Sequence, residues 1–287
     1  MRVRFWGVRG SLPAPGPETA RYGGNTSCVD ILTSDQQVII LDAGTGIRKL
    51  GLALAQEYPR RQVGTLLISH THWDHIQGFP FFMPAFTRHN RFVVIGQKRV
   101  GQKLENLLRG QVVEPYLPFE YAELKADLVI KEVDDGERMI IGDETRLRVR
   151  ELGHPGGCLG FRIENGDAAI AYCTDTTHPE GRINPNVLDL ARDVDLLIHD
   201  SQFTPEQRRA FPSWGHSSWQ EAVRAAAAAR VKCLALFHHD PNATDDHLES
   251  VLREARAHFP HTILAQEGLA LHLPFPPDTA IPNAVPS

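Results

Sequence analysis

The segment SHTHWDHIQG (69–78) constrains this chain more than any other. It sets His70, His72, Asp74 and His75 in the pattern H-x-H-x-D-H, at the end of the run TLLIS (65–69). A short, largely aliphatic run of that kind reads as a buried strand, so the histidines stand where the strand opens into a loop. Side chains two apart in extended backbone point the same way, so His70 and His72 can share one ion. The chain then turns, and Asp74 with His75 can face a second. Imidazole and carboxylate together suit Zn²⁺, Mn²⁺ or Fe. Two ions need more donors than these four, so the fold must bring others to the same place.

Three further donors close runs of strand type. His154 follows RLRVRELG (146–153), Asp175 ends AAIAYCTD (168–175), and CLALFHHD (233–240) carries His238. His238 and His239 are adjacent and point to opposite sides of a strand. Other strand-like runs are VRFWGV (3–8), SCVDIL (27–32), QVIILDAG (37–44), RFVVIG (91–96) and DLLIHDSQF (195–203). TSDQ (33–36) is a hairpin turn between two of them. The runs between 127 and 175, separated by DDG and ENGD, predict an antiparallel sheet. Helical spacing marks 46–58, 97–110, 217–231 and 246–259. The segment 262–273 closes the pattern. This α/β chain is expected to form one domain over 1–275, followed by a proline-rich tail at 276–287.

Composition excludes some functions. The 287 residues are 42% hydrophobic and 23% charged, a balance that buries a core without staples. Cys28, Cys158, Cys173 and Cys233 form no CxxC pair, so a thiolate zinc site is not expected and the thiols read as reduced and buried. A net charge of −5 argues against a long polyanion as the partner. A small phosphate ester needs only a few local cations. MRVRFWGVRG (1–10) lacks the apolar stretch of a signal peptide, and no run is long and apolar enough for a membrane span. A cytoplasmic chain with no membrane partner is the expectation.

Taken in order, these residues resemble the metallo-β-lactamase superfamily, from Val3 to about Leu273. The resemblance rests on five motifs: Asp42 in LDAGTG, the 70–75 cluster, His154, Asp175 and His238. It implies a four-layer αββα sandwich with a two-metal site at one edge of the sheets. His70, His72 and His154 would hold one ion and Asp74, His75 and His238 the other. Asp175 would bridge them and Asp42 would support the ligands from behind. The family pattern favours His238 over His239, leaving His239 a supporting or surface role. Two divalent ions, Zn²⁺ first and Mn²⁺ second, would generate a bridging hydroxide as nucleophile.

SWGHSSWQEAV (213–223) narrows the chemistry. His216 precedes a helix that Ser217 or Ser218 can cap, and a helix N-terminus attracts phosphate oxygens. The segment resembles the histidine motif of the phosphodiesterase branch, which includes tRNase Z and cyclic-nucleotide phosphodiesterases. True β-lactamases, glyoxalase II and lactonases lack it. The resemblance implies His216 as general acid, oriented by Asp200 in LLIHDSQF, with His199 structural. Asp74, His216 and Asp200 are thus the candidate catalytic residues.

The basic glycine-rich arm of tRNase Z is not found. The N-terminal segment 4–29 and HTHWDHIQGFPFF (70–82) resemble the cyclic-nucleotide enzymes instead. Arg9, Ser11 and Asn25 either line the substrate pocket or serve turn chemistry. FPFFMPAF (79–86) either stacks a nucleobase, packs in the core or contacts a second copy. The expectation is therefore a phosphodiesterase of cyclic nucleotides, with a small diester as partner, no long nucleic acid, and a homodimer. A tRNase Z-like RNA 3′-processing endonuclease and a non-catalytic sensor are the other readings.

Overall fold

The computed structural model describes residues 1–276, so the expected tail, Pro276 aside, lies outside the described residues. In chain order the strands are β1 (Arg2–Gly7), β2 (Cys28–Leu32), β3 (Val38–Leu41), β4 (Val63–Leu67), β5 (Arg91–Gln97), β6 (Asp127–Val133) and β7 (Arg138–Ile141). They continue as β8 (Thr145–Leu152), β9 (Cys158–Asn165), β10 (Ala168–Cys173), β11 (Leu196–Asp200), β12 (Cys233–Phe237), β13 (Thr262–Leu264) and β14 (Ala270–His272). The helices are α1 (Ile47–Glu57), α2 (Trp73–Ile76), α3 (Leu104–Arg109), α4 (Pro185–Ala191), α5 (Pro205–Ala210), α6 (Trp219–Ala229) and α7 (Asp245–His258).

Two mixed sheets form the centre. One has the order β14-β1-β2-β3-β4-β5-β6 and the other β13-β12-β11-β10-β9-β8-β7. β2 and β3 pair as the expected hairpin, with Val29 opposite Leu41 and Leu32 opposite Val38. β3, β4, β5 and β6 run parallel, as do β10, β11, β12 and β13. Strands such as VIIL and CLALF, buried at every position, have both faces covered and so carry no polar alternation.

The layers follow from the buried clusters. Between the sheets pack Phe5, Ile31, Leu41 and Leu67 from the first, and Phe161, Ile163, Tyr172 and Phe237 from the second. On the first sheet's outer face α1 buries Ile47, Leu50 and Leu54. On the second sheet's outer face α4, α6 and α7 bury Val187, Leu190, Ala222, Ala226 and Leu252. The buried positions of α6 recur at helical spacing, and its alanines let it lie close to the sheet. Ser218 caps it, accepting from the Glu221 amide while Glu221 bonds back. The result is the expected four-layer αββα sandwich.

Several local expectations change. DLVIKEV is not part of the antiparallel region: β6 pairs parallel with β5, Arg91 opposite Asp127. A crossover through α3 joins them, and such crossovers produce parallel pairs. The helix expected over 97–110 shortens to Leu104–Arg109, because Gly101 (φ 78°) breaks its first half. α4 and α5 were not anticipated. The 262–273 segment splits into β13 in one sheet and β14 in the other. FPFFMPAF packs mainly inward, with Phe79, Phe82 and Ala85 buried and Phe81 and Met83 exposed. The four cysteines are free and buried. No helix among the described residues is long and apolar enough to cross a membrane.

Candidate metal centre

Six strands end at one edge of the sandwich. β3 leads to Asp42, β4 to Ser69 and His70, β8 to His154, β10 to Asp175, β11 to Asp200 and β12 to His238. Carboxyl ends of parallel strands are where open α/β sheets gather ligands. Asp42, Asp175 and His238 have φ of 60°, 47° and 62°. None is glycine, so each pays a small cost in left-handed backbone to turn its side chain into the site.

Seven residues singled out in the sequence converge in two groups. Donor atoms of His70, His72, His154 and Asp175 all lie within 4.8 Å of one another, as do those of Asp74, His75 and His238. Asp175 touches both groups with different oxygens. Its Oδ2 lies 3.5 Å from His70 Nε2 and 3.8 Å from His154 Nε2. Its Oδ1 lies 3.1 Å from both His75 Nε2 and His238 Nε2. Asp74 Oδ2 sits 3.2 Å from His75 Nε2 and 3.1 Å from His238 Nε2.

These donors fit divalent cations on three counts. Ligand atoms about 2.0–2.1 Å from a tetrahedral ion stand about 3.3 Å apart, close to the spacings found. His70 Nε2 is buried without a hydrogen-bond partner, yet it faces the cluster. Asp42, Asp74, Asp175 and Asp200 are all buried, and four carboxylates this close need positive charge among them. His75 registers that need. Burial pulls its pKa down, but Asp74, Asp175 and Asp42 together hold it well above the ordinary imidazole range. His70, by contrast, is pushed well below that range by burial and by the neighbouring imidazole of His75.

Behind the ligands stands a buried anchor. Asp42 Oδ2 accepts from His75 Nδ1, Ser69 Oγ and the Tyr172 hydroxyl, each at 2.8 Å, while Oδ1 accepts from the Ser69 amide at 2.7 Å. The bond to Nδ1 turns His75 Nε2 toward the cluster. Ser69 and Tyr172 were not singled out in the sequence. A serine and a tyrosine within strand-type runs look like core until their partner is known.

His216 borders both groups. Its ring stacks on His238 with centroids 5.1 Å apart, and its Nδ1 lies 3.0 Å from Asp200 Oδ2. Burial lowers the His216 pKa, but the Asp200 carboxylate and its hydrogen bond outweigh that and raise it to about 9. Asp200 in turn accepts from the backbone amides of Thr176, Gln202 and Ser217. Gly215, at φ 89°, brings its carbonyl to accept from His154 Nδ1 at 2.9 Å. A Cβ there would stand 2.3 Å from that nitrogen, so only glycine fits. His199 stacks on His178 and bonds the Asp200 carbonyl, away from the metal groups.

The three residues expected in the substrate pocket divide. Ser11 reaches the site through its backbone, whose N–H donates to Asp74 Oδ2 at 2.7 Å. Arg9 does not line a pocket: it is fully buried, and its guanidinium donates to the carbonyls of Gly23, Asp240 and Ala243. Three acceptors within reach make an internal brace the lower-energy place for it. The Asn25 amide is occupied by Glu267. His239 is buried, not on the surface, and bonds the Ala265 carbonyl.

A sequence model of the β-lactamase superfamily domain matches residues 37–239. Ribonuclease Z of Treponema pallidum (strain Nichols) is 23% identical over 297 residues, 85% of this chain and 91% of that protein. Ribonuclease Z of Haloarcula marismortui is 24% identical over 320 residues, covering 96% and 98%. Among solved structures, the short form of human tRNase Z superposes with a TM-score of 0.67 at 19% identity, covering 96% of this chain and 100% of that one. At that identity the structural likeness speaks for the fold alone. The comparisons support the expected class, a metal-dependent phosphodiester-cleaving hydrolase, and divalent ions as its cofactors. They overturn the expected partner. Relatives named ribonuclease Z stand against a small cyclic nucleotide and against the exclusion of long nucleic acid. That exclusion came from net charge, which sums the whole surface and says little about the rim of one site. With a match spanning most of its length, the chain belongs to the β-lactamase superfamily.

Proposed function

We propose that this chain is an RNA 3′-processing endonuclease of the tRNase Z kind, cutting one phosphodiester. The Asp200–His216 pair beside two converging groups of metal donors carries the phosphodiester chemistry, and the ribonuclease Z relatives matched over 85% and 96% of the chain favour RNA as the substrate. A dyad that keeps a proton next to such a site suits a reaction with a poor, basic leaving oxygen, which is what a phosphodiester has.

His70, His72 and His154 would hold one ion, and Asp74, His75 and His238 the other. Asp175 would give one oxygen to each. Zn²⁺ suits the imidazole-rich set best. Bound divalent ions would supply an activated water at neutral pH and positive charge for the phosphate oxygens. The protein's part is to fix the donors and to move one proton. Asp42 locks His75 in the tautomer that turns Nε2 inward. The Ser11 N–H fixes Asp74. Asp200 accepts from His216 Nδ1–H and steadies the imidazolium. That leaves Nε2–H to be donated to the leaving oxygen as the P–O bond breaks. Cations held close by would lower the His216 value from about 9.

The test is cleavage of a tRNA precursor carrying a 3′ trailer by the Zn²⁺-loaded protein, with product ends mapped. A single cut at the trailer junction, dependent on metal, is expected. Hydrolysis of 3′,5′-cyclic AMP with the precursor left intact would overturn the reading.

A further inference from the structure

Two large apolar side chains stand in solvent at the mouth of the site. Trp73 is 66% exposed and Trp214 is 57% exposed. Neither position is incidental. Trp73 lies between His72 and Asp74. Trp214 precedes Gly215 and His216. One imidazole contacts a neighbour of each: His154 Nε2 is 3.1 Å from His72 Nδ1, and His154 Nδ1 is 2.9 Å from the Gly215 carbonyl. Trp73 thus adjoins the exposed His72 end of that contact and Trp214 the Gly215 end, where the Trp214 ring packs on Phe211 and Phe203, and Phe203 in turn abuts His216. The other two tryptophans are committed elsewhere, Trp6 to Asp30 and Trp219 to the core under α6.

Leaving two indoles in water costs apolar burial, and exposed aromatics beside a reacting centre mark a contact. The electrostatics say which contact. The two segments that carry the indoles, 69–78 and 213–218, hold no Lys or Arg to pair with a phosphate backbone. Bases offer the alternative, because an aromatic face accepts any base. A phosphodiester held between the metal donors and His216 brings its two flanking nucleosides to this rim.

We infer that Trp73 and Trp214 form a stacking platform for unpaired bases on either side of the scissile phosphodiester. The inference rests on the RNA reading above and names the class of substrate: a single-stranded RNA segment with its bases splayed out, held by stacking more than by charge. Each stacked base is worth about 1–3 kcal/mol, or about 5- to 150-fold in affinity.

The experiment titrates metal-loaded full-length protein with a single-stranded RNA octamer and with an abasic oligomer of equal length and charge. Tryptophan fluorescence and anisotropy are followed in parallel. The base-bearing octamer should quench fluorescence and bind at least fivefold more tightly than the abasic one. Trp73→Ala and Trp214→Ala should each lose about 5- to 150-fold in affinity, and Trp→Phe should recover most of it. Metal content is measured on every variant. Where a variant loses metal, the wild-type comparison of base-bearing against abasic oligomer decides alone. Equal binding of the two oligomers, with precursor RNA still cleaved, would overturn the platform and leave the nuclease reading standing. It would point instead to a protein contact at this rim. Failure of the wild type to bind or cleave any RNA would overturn the nuclease reading itself.

Discussion

Replacing Asp42 by Asn keeps the side chain's shape and removes its charge and one acceptor. The native carboxylate accepts four hydrogen bonds, three of them on Oδ2. An amide has one oxygen. If that oxygen faces His75, Ser69 Oγ and Tyr172, its NH₂ points at the Ser69 N–H. If it faces Ser69 N–H, the NH₂ points at three donors. Either way a donor meets a donor in a fully buried place, costing about 1–3 kcal/mol of stability. His75 also loses the partner that turns Nε2 inward. Outer partners of metal-ligating histidines contribute about 10- to 100-fold to metal affinity, or about 1.4–2.7 kcal/mol. The loss should fall on the ion held by Asp74, His75 and His238, leaving the other ion in place. Competition against a chromophoric zinc chelator would reveal one site weakened 10- to 100-fold and one unchanged. Thermal melts with and without metal would show that the variant still folds. Two sites of wild-type affinity in a folded Asp42→Asn protein would refute the reasoning.

Asp200→Asn should move the alkaline limb of the kcat profile to lower pH. His216 acts as a donor only while protonated, below its pKa, and Asp200 is what holds that value up against burial. Its kcat should fall within the 10²–10⁴ that a positioned proton donor contributes, and an unshifted limb would contradict the dyad. The metal-free protein should lose stability as pH falls from 6.5 toward 3. Burial lowers His178 and His239 from 6.5 to about 3, so the unfolded chain takes up protons that the folded one refuses. At 1.36 kcal/mol per unit, each costs about 2 kcal/mol by pH 5. His216, raised above its unfolded value, adds no slope in that window. Urea midpoints at pH 7, 6 and 5 measure the effect, and a flat series would refute it.

Much of this architecture could be read from the chain itself, for physical reasons. Strand runs end abruptly in polar residues, so the donors at 70–75, 154, 175 and 238 announce themselves by position. The turn TSDQ and the cap at Ser218 use local chemistry that survives folding unchanged. What escaped depends on distant partners. Ser69 and Tyr172 matter only because Asp42, 27 and 130 residues away, accepts from them. Arg9 is spent on carbonyls up to 234 residues off, and nothing local separates a buried brace from a pocket wall. α4 and α5 are short, and their Asn184-Pro185 and Thr204-Pro205 starts are cap-and-proline signals. The left-handed turns at Asp42, Asp175 and His238 carry no glycine to mark them. The partner was misread because net charge sums the whole surface and says little about one site.

The most direct test of the account compares wild type with His216→Ala in single-turnover cleavage of a 3′-extended tRNA precursor, with metal content measured on the same samples. The account predicts two ions per chain in both proteins and cleavage slowed about 10²–10⁴ in the variant. A fully metallated His216→Ala protein that cuts at the wild-type rate would contradict it.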